Sequence, residues 1–365
     1  MPITLTPRLK FWLAFSVGLA ATIGIALFYI ARSGIDQDAG IQIGGDHKEN
    51  LRQQRLKQRD PRFKSPLQIN SPKEAESHVK LLGGKAIRMP LDGNRVYWVK
   101  LSRADATDDD LVVLTQLSDL QQLNLDETLV DGTGLKYAVD CKRLESINLN
   151  HTSVADEQLK YLGNLQKLNT LHLNDTLITG SGIKYLAKLP KLIRVHMDHT
   201  RIGSGAFTNF ATLSALEDLS VRDTQLENAA ILNLANSPSL KRLYLSRTYV
   251  SDDGIGAIAS IPNLTVLDVA GTAITDKSIH KLAACPNLFN LNVSNTAVTD
   301  DGLSALVGCG SLRLLDASGT KISRAGLLKL AKHPSLDQLT ILRTQITPTD
   351  IQAAKFAKNL KVKLE

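Results

Sequence analysis

A strict 24-residue period is the sequence feature that most constrains the fold of this chain. Threonine recurs at ten positions without one insertion or deletion between them: Thr128, Thr152, Thr176, Thr200, Thr224, Thr248, Thr272, Thr296, Thr320 and Thr344. A leucine stands eight residues before each threonine, from Leu120 to Leu336, and apolar residues stand five and three before it. Such a period predicts stacked units, each of which buries its apolar face against the next.

Each unit contains a strand pattern followed by a helix pattern. The L-x-L segment alternates with period two, which predicts a short strand with one buried face. The segment after the threonine has period three to four, which predicts a short helix. Thr107, Ser251, Thr275 and Thr299 occupy the N-cap positions, and each is followed by an aspartate that favours a helix N-terminus. We interpret the threonine column as structural, with hydroxyls that bridge adjacent repeats.

The segments TAITDKSI at 272–279 and TAVTDDGL at 296–303 resemble bacterial leucine-rich repeats of the T-x-[IV]-T-D-x-G-L type. The resemblance covers roughly residues 96–365. It implies an α/β leucine-rich-repeat solenoid, a curved horseshoe with a parallel β-sheet on the concave face and short helices on the convex face. Counting back 24 residues from Thr128 adds a unit at Ala104, so we expect about 11 repeats of 24 residues.

Both ends of the array carry segments that depart from the period. Residues 72–82 predict a helix that is capped by Ser71 and ended by Gly83-Gly84, and residues 92–94 (Asp-Gly-Asn) predict a hairpin turn. We assign residues 66–95 to an N-terminal helix–hairpin cap and 96–348 to the repeat array. Residues 349–365 form a C-terminal cap, with a helix over about 349–358 and a strand-like segment over 360–364. These caps would hide the apolar edges of the terminal repeats.

An apolar segment near the N-terminus predicts a membrane anchor. Residues 11–30 contain no charge, and at ~1.5 Å per residue a helix of this length spans a hydrocarbon core of ~30 Å. A cleaved signal peptide is the alternative. Because Arg8 and Lys10 precede the segment, we expect an uncleaved single-pass signal anchor with residues 1–10 in the cytoplasm. The repeats would then be extracytoplasmic, at the cell surface or in the periplasm, behind a flexible linker over 31–65.

The charge of the chain is uneven along its length. The formal net charge is +7, but residues 1–64 carry 10 Lys and Arg against 5 Asp and Glu, and the remaining chain carries 33 against 31. A near-neutral repeat array argues against nucleic acid as a partner. The three cysteines, Cys141, Cys285 and Cys309, are too few for a disulfide scaffold, and we predict buried free thiols.

Polar residues of the predicted strands indicate a candidate binding surface on the concave face. The residue before each threonine alternates between imidazole and carboxylate in the middle of the array, and the residues two and four before it are also polar. Parallel strands present such side chains at ~4.8 Å intervals. The candidate residues are His151, His172, Asp175, His196, Asp198, His199, Arg222, Asp223, Arg242, Tyr244 and Arg247.

Three interpretations of this surface compete. It is a solvated ladder in which alternating charges pair across strands, as in a purely structural envelope protein. Or it recognises a protein or glycan ligand, with arginines and Tyr244 as anchors. Or it is a metal site of a sensor or metal-dependent hydrolase, with His172 and His196 as ligands and Asp175 or Asp198 completing it.

The sequence contains no nucleophile elbow, Walker loop, H-E-x-x-H motif or Rossmann fingerprint. We therefore favour a membrane-anchored, non-catalytic binding protein. We expect no cofactor, no bound metal and no small-molecule substrate.

Overall fold

A computed structural model describes residues 53–54, 57, 67–89, 95–210, 212–235, 237–354, 356 and 360–364. The chain divides into two units, Met1–Arg59 and Asp60–Glu365, and the sheet with its connecting helical segments belongs to the second. Among the described residues, no helix combines the length and the apolar character needed to span a bilayer. The predicted anchor over 11–30, most of the predicted linker and the turn at 92–94 lie outside the described residues.

The second unit is built on one sheet of thirteen strands that follow one another in chain order. The first two pair antiparallel, and every later strand pairs parallel with the strand before it. From β3 to β12 each strand has three residues, and from β4 onward each of these starts 24 residues after the start of the strand before it. The strands are β1 (Lys85–Met89), β2 (Arg95–Lys100), β3 (Gln122–Asn124), β4 (Ser146–Asn148), β5 (Thr170–His172), β6 (Arg194–His196), β7 (Asp218–Ser220), β8 (Arg242–Tyr244), β9 (Val266–Asp268), β10 (Asn290–Asn292), β11 (Leu314–Asp316), β12 (Gln338–Thr340) and β13 (Lys361–Lys363).

Short helical segments connect the strands, as the period predicts. The first three repeats use 3₁₀ segments, Asp108–Gln116, Thr133–Asp140 and Asp156–Leu162, and two more are Ser204–Ala206 and Leu306–Gly308. The α-helices are α1 (Pro72–Leu81), α2 (Ile183–Leu186), α3 (Phe207–Phe210), α4 (Asn228–Leu234), α5 (Asp252–Ala259), α6 (Asp276–Leu282), α7 (Asp300–Ala305), α8 (Arg324–Leu330) and α9 (Pro348–Ala353). The last helix ends at Ala353, short of the predicted 358. The architecture confirms the predicted solenoid.

The apolar columns of the repeat form one continuous core between the sheet and the helical segments. The leucines eight residues before each threonine are at most 5% exposed from Leu120 to Leu336. Burying one such side chain contributes roughly 1.5–3 kcal/mol. Cys141, Cys285 and Cys309 are buried free thiols, as predicted, and burial raises the pKa of Cys141 to about 12.

The threonine column is structural, but it does not do what we expected. In all ten threonines Oγ1 donates to the backbone carbonyl three residues earlier, at 2.6–2.9 Å. That carbonyl belongs to the same repeat. The expected bridge between adjacent repeats is therefore wrong: the hydroxyl stabilises the turn that follows its own strand.

The link between neighbouring repeats comes instead from the carboxylate four residues after the threonine. Asp156 is the fullest example: it accepts from Thr179 N and Oγ1 at 3.0 and 2.6 Å, and from Gly180 N and Gly182 N at 3.0 and 2.9 Å. The sequence indicated a helix-terminus role for these aspartates, and the structure adds a bond to the next repeat. The same link is made by Asp108, Asp252, Asp276 and Asp300.

Gly182 shows why glycine recurs six residues after the threonine. A Cβ atom at this position would lie 2.4 Å from the carbonyl oxygen of Asp156. Only glycine lets the backbone approach this closely, so the glycine six residues after the threonine serves the contact between repeats.

A buried pair holds helix α1 to the first repeat. Ser71 caps α1 by accepting from the Glu74 N–H at 3.3 Å. His78 on α1 lies 2.8 Å from Asp110 of the first repeat, and their side chains are 5% and 0% exposed. The other oxygen of Asp110 accepts from the backbone N–H and the hydroxyl of Thr107.

Candidate functional site

Strands β6 to β8, together with Arg222 two residues after β7, place six polar side chains near one another in the middle of the sheet. In a three-residue strand, the first and third residues point to the same face, opposite the buried middle residue. Strands β6, β7 and β8 are paired in register, so their first residues are direct neighbours, as are their third residues. We call the following group the central patch: Arg194, His196, Asp218, Arg222, Arg242 and Tyr244.

Asp218 is the hub of the central patch. Its Oδ2 accepts from Nε of Arg194 and from Nε of Arg242, both at 2.9 Å. Its Oδ1 lies 3.2 Å from Nε2 of His196. The Asp218 side chain is 6% exposed, whereas the two arginine side chains are 39% and 30% exposed. One buried carboxylate therefore orients two more exposed guanidinium groups.

The environment sets the protonation of this cluster. Burial raises the pKa of Asp218, but hydrogen bonds from His196, Arg194 and Arg242 outweigh it and hold the pKa well below its usual range. Asp218 is thus ionised at neutral pH. Burial, together with the nearby His196 and Arg194, lowers the pKa of His172 to about 4. His172 is therefore a neutral imidazole, and its ring meets that of His196 edge-on at 5.0 Å.

Tyr244 and Arg222 form the other side of the central patch. The Arg222 guanidinium lies over the Tyr244 ring at 4.4 Å, a cation–π contact. The same guanidinium pairs with Asp268 at 3.1 Å. Burial is the largest influence on the Tyr244 hydroxyl and raises its pKa. Beside this pair lies a shallow cavity of about 280 Å³ over β8–β12, lined by Val266, Asp316 and their neighbours.

The column directly before each threonine has a conformational explanation that the sequence prediction missed. All eleven residues have a left-handed backbone, with φ between 53° and 65°: Arg103, Glu127, His151, Asp175, His199, Asp223, Arg247, Gly271, Asn295, Gly319 and Arg343. Asn, Asp, His and Gly tolerate this region best. Part of the imidazole–carboxylate alternation therefore reflects the turn. The two glycines of the column were the sequence signal that indicated a left-handed backbone at this position.

Side chains of this column pair across strands with each other and with the column that precedes it. His151 lies 2.8 Å from Asp126 through Nδ1 and 3.5 Å from Asp175 through Nε2. Arg247 binds Asp223 through two hydrogen bonds, and His199 lies 3.6 Å from the same carboxylate. This arrangement favours the interpretation of a charge-paired ladder for the residues beside the central patch.

Asp198 is engaged in holding the sheet together. Its Oδ1 accepts from the backbone N–H of Arg222 at 2.8 Å and from the Ser220 hydroxyl at 2.5 Å. Asn150 and Asn174 make the equivalent bond to the next repeat. These polar side chains two residues before the threonine thus satisfy backbone donors.

The hypothetical metal site is not assembled as proposed. Among the described residues, the group of three potential ligands whose atoms lie within 4.8 Å of one another is Asp126, Glu127 and His151. His172 and His196 are neighbours, but neither Asp175 nor Asp198 completes a compact set with them. Asp175 lies beside His151, and Asp198 binds Ser220 and Arg222.

The sequence prediction missed Arg194 and Asp218, the two residues that organise the central patch with Arg242. Both are the first residue of a strand, six before a threonine. The L-x-L alternation contained the signal, since the residues on either side of the buried middle position share one face. The charge sequence Arg, Asp, Arg at successive repeats would have indicated a cross-strand cluster.

Comparisons with known proteins agree with the repeat. A model of the family described as "Leucine Rich repeat" matches residues 260–283 and 284–307. A search among curated proteins finds no sequence that matches the chain.

Among solved structures, the chain is similar to an internalin, InlF, from Listeria monocytogenes. The TM-score is 0.53 and the identity 15%, over 87% of this chain and 94% of the internalin. An internalin C2 from the same organism gives a TM-score of 0.49 and 21% identity, over 58% and 92%. Identity this low shows a shared fold alone. The repeated units of this protein are leucine-rich repeats, and its second unit is a leucine-rich-repeat solenoid.

Proposed function

We propose that this protein is a non-catalytic binding protein that recognises a protein partner through the concave face of its repeats. The central patch is the proposed contact. The observation that carries the proposal is the arrangement around Asp218, where one buried carboxylate holds Arg194 and Arg242 on neighbouring strands. Side chains that are ordered before binding lose little entropy on association, and arginine and tyrosine are frequent hot-spot residues.

The contacts within the central patch argue against a hydrolase. Nucleophilic catalysis requires a hydroxyl within hydrogen-bond reach of a base. Ser220 is next to His196 in the sheet, but its hydroxyl donates to Asp198. His196 faces Asp218, whose remaining oxygen is occupied by two arginines. The groups are therefore arranged as an ion-pair cluster, which supports a role in binding.

Site-specific photo-crosslinking in cells tests the proposed surface. A benzophenone amino acid at Tyr244 is expected to form a discrete adduct with a protein, because the side chain there remains aromatic and faces the concave surface. The matched control is the same amino acid at Leu232, which lies on α4 and is 61% exposed. In a pull-down without the crosslinking amino acid, the double variant Tyr244→Ala/Arg247→Ala is expected to reduce recovery of the partner by about tenfold or more. Equal adduct yields at positions 244 and 232 would contradict the proposal.

We also propose that residues 11–30 anchor the protein in a membrane and place the repeats outside the cytoplasm. The support is the uncharged segment and the basic residues before it. Alkaline phosphatase fused after residue 65 is expected to be active and a green fluorescent protein fused there to be dark. A fluorescent fusion without phosphatase activity would place the repeats in the cytoplasm.

A further inference from the structure

The geometry around Asp218 points to a binding site for carboxylate side chains: we propose that Arg194 and Arg242 together hold an acidic segment, rich in Asp or Glu, of the protein partner. This inference rests on the proposed function and names the chemistry of the partner. Asp218 is the positioning residue of the site, because it contacts the two arginines and would not contact the ligand.

Both arginines keep their outer donors available. A guanidinium group has five N–H donors, and Arg194 and Arg242 each use only Nε for Asp218. Within the part of the chain that the structure describes, no hydrogen bond occupies the Nη groups of either residue. Two parallel strand spacings separate them, about 10 Å between their Cα atoms. The free ends therefore form a pair of forks suited to bidentate binding of carboxylates.

The charges of the patch are layered. Arg194, Arg222 and Arg242 are 30–39% exposed in their side chains, whereas Asp218 and Asp268 are 6% and 12% exposed. Asp198 is engaged with a hydroxyl and a backbone amide. The carboxylates of β7 and β9 thus lie beneath the guanidinium groups. An approaching ligand meets a cationic layer that is already oriented, so little reorganisation is needed on binding.

The surroundings favour a peptide over a sulfated glycan. Tyr244 lies beside Arg222, and the adjoining cavity of about 280 Å³ has a mostly polar lining that also includes the half-buried apolar side chains of Val266 and Leu314. These surfaces suit the apolar side chains that flank an acidic residue. Asp268 and Asp316 line the same cavity, so we expect the carboxylates of the ligand to lie over the arginines and its apolar side chains to lie over the cavity.

Peptide binding to the purified full-length protein tests the site. Fluorescein-labelled hexaglutamate is expected to bind saturably by fluorescence anisotropy at low ionic strength, and labelled hexaglutamine is expected not to bind. Arg194→Gln and Arg242→Gln should each weaken hexaglutamate by about tenfold, because each removes one charged donor pair. Arg242→Lys keeps the positive charge but lacks the paired donors of a guanidinium group, so it should reduce hexaglutamate affinity less than Arg242→Gln does.

The control is Arg324→Gln on the convex helix α8, an equal change of charge at a side chain that is 64% exposed. It should leave hexaglutamate affinity within about twofold, and circular dichroism should show the same fold for all variants. Absence of hexaglutamate binding, or equal losses in Arg324→Gln and Arg242→Gln, would overturn the carboxylate site. If a heparin hexasaccharide binds more tightly than hexaglutamate and its binding needs the same arginines, the ligand is a glycan and the acidic-peptide proposal is wrong. If a protein crosslinks at position 244 but hexaglutamate does not bind, the carboxylate site is wrong while the proposed protein-binding function stands.

Discussion

Asp110→Ala is expected to lower the free energy of unfolding at the N-terminal end of the solenoid by about 3 kcal/mol, because it leaves buried donors of His78 and Thr107 without their acceptor. Asp110 is fully buried and accepts from His78, from the Thr107 backbone and from the Thr107 hydroxyl. Alanine removes the acceptor of all three bonds and leaves a void where α1 packs on the first repeat. Because each repeat contacts only its neighbours, the loss should begin at this end of the array.

Urea denaturation and amide hydrogen exchange measure this effect. The urea midpoint should fall, and exchange should accelerate first in α1, β1 and β2. Asp109→Ala is the matched control, since Asp109 is the more exposed neighbour of Asp110 in the same segment. If both variants shift the midpoint equally, the buried pair does not hold the cap.

Asp156→Ala is expected to lower the free energy of unfolding by about 2–3 kcal/mol, because backbone donors of the next repeat lose their charged acceptor. The carboxylate accepts three backbone N–H groups and one hydroxyl from the next repeat, which contains Thr176. The urea midpoint should fall accordingly. Asp253→Ala, an aspartate in the first turn of α5, provides the control and should shift the free energy of unfolding by less than about 0.5 kcal/mol.

Asp156 and Asp252 predict acid sensitivity of the array. Burial raises the pKa of Asp156, but hydrogen bonds from Thr179, Gly182 and Gly180 outweigh it, so the folded pKa lies below the ordinary value. The pKa of Asp252 is lowered in the same way. A depressed folded pKa contributes stability that is present above the unfolded pKa of roughly 3.9 and is lost as pH falls through the folded pKa. The urea concentration at the unfolding midpoint should therefore decrease as the pH is lowered below about 4. Asp156→Asn should make this decrease smaller. An unchanged slope in Asp156→Asn would assign the acid sensitivity to other carboxylates.

Much of the architecture was predictable because the buried columns repeat without interruption. Leu120 and its nine equivalents, the alternation around each strand and the Gly83-Gly84 helix end all specify local structure. The His78–Asp110 pair was not predictable, because the two residues belong to different elements and neither sequence segment indicates a buried polar partner. Of the candidate surface residues named from the sequence, His196, Arg222, Arg242 and Tyr244 lie in the central patch.

The column directly before each threonine shows where sequence patterns mislead. His199 and Asp223 resemble a functional alternation, yet their backbone is left-handed, and that conformation alone favours Asp, Asn, His and Gly. Polar character at a repeated position can therefore report a turn as readily as a ligand. Backbone dihedral angles, which are a property of the folded chain, were needed to separate the two.

The sequence by itself determined the solenoid, the number and length of its units, and which residues enter the core, because burial must recur wherever the period recurs. The tertiary structure decided how polar groups are used. Only the folded chain shows that the threonine hydroxyls bond within a repeat, that Asp156 bonds to the next one, and that Asp218 gathers two arginines. Hydrophobic burial depends on residue type and periodicity, whereas hydrogen bonds and ion pairs depend on distances of about 3 Å that sequence spacing does not specify.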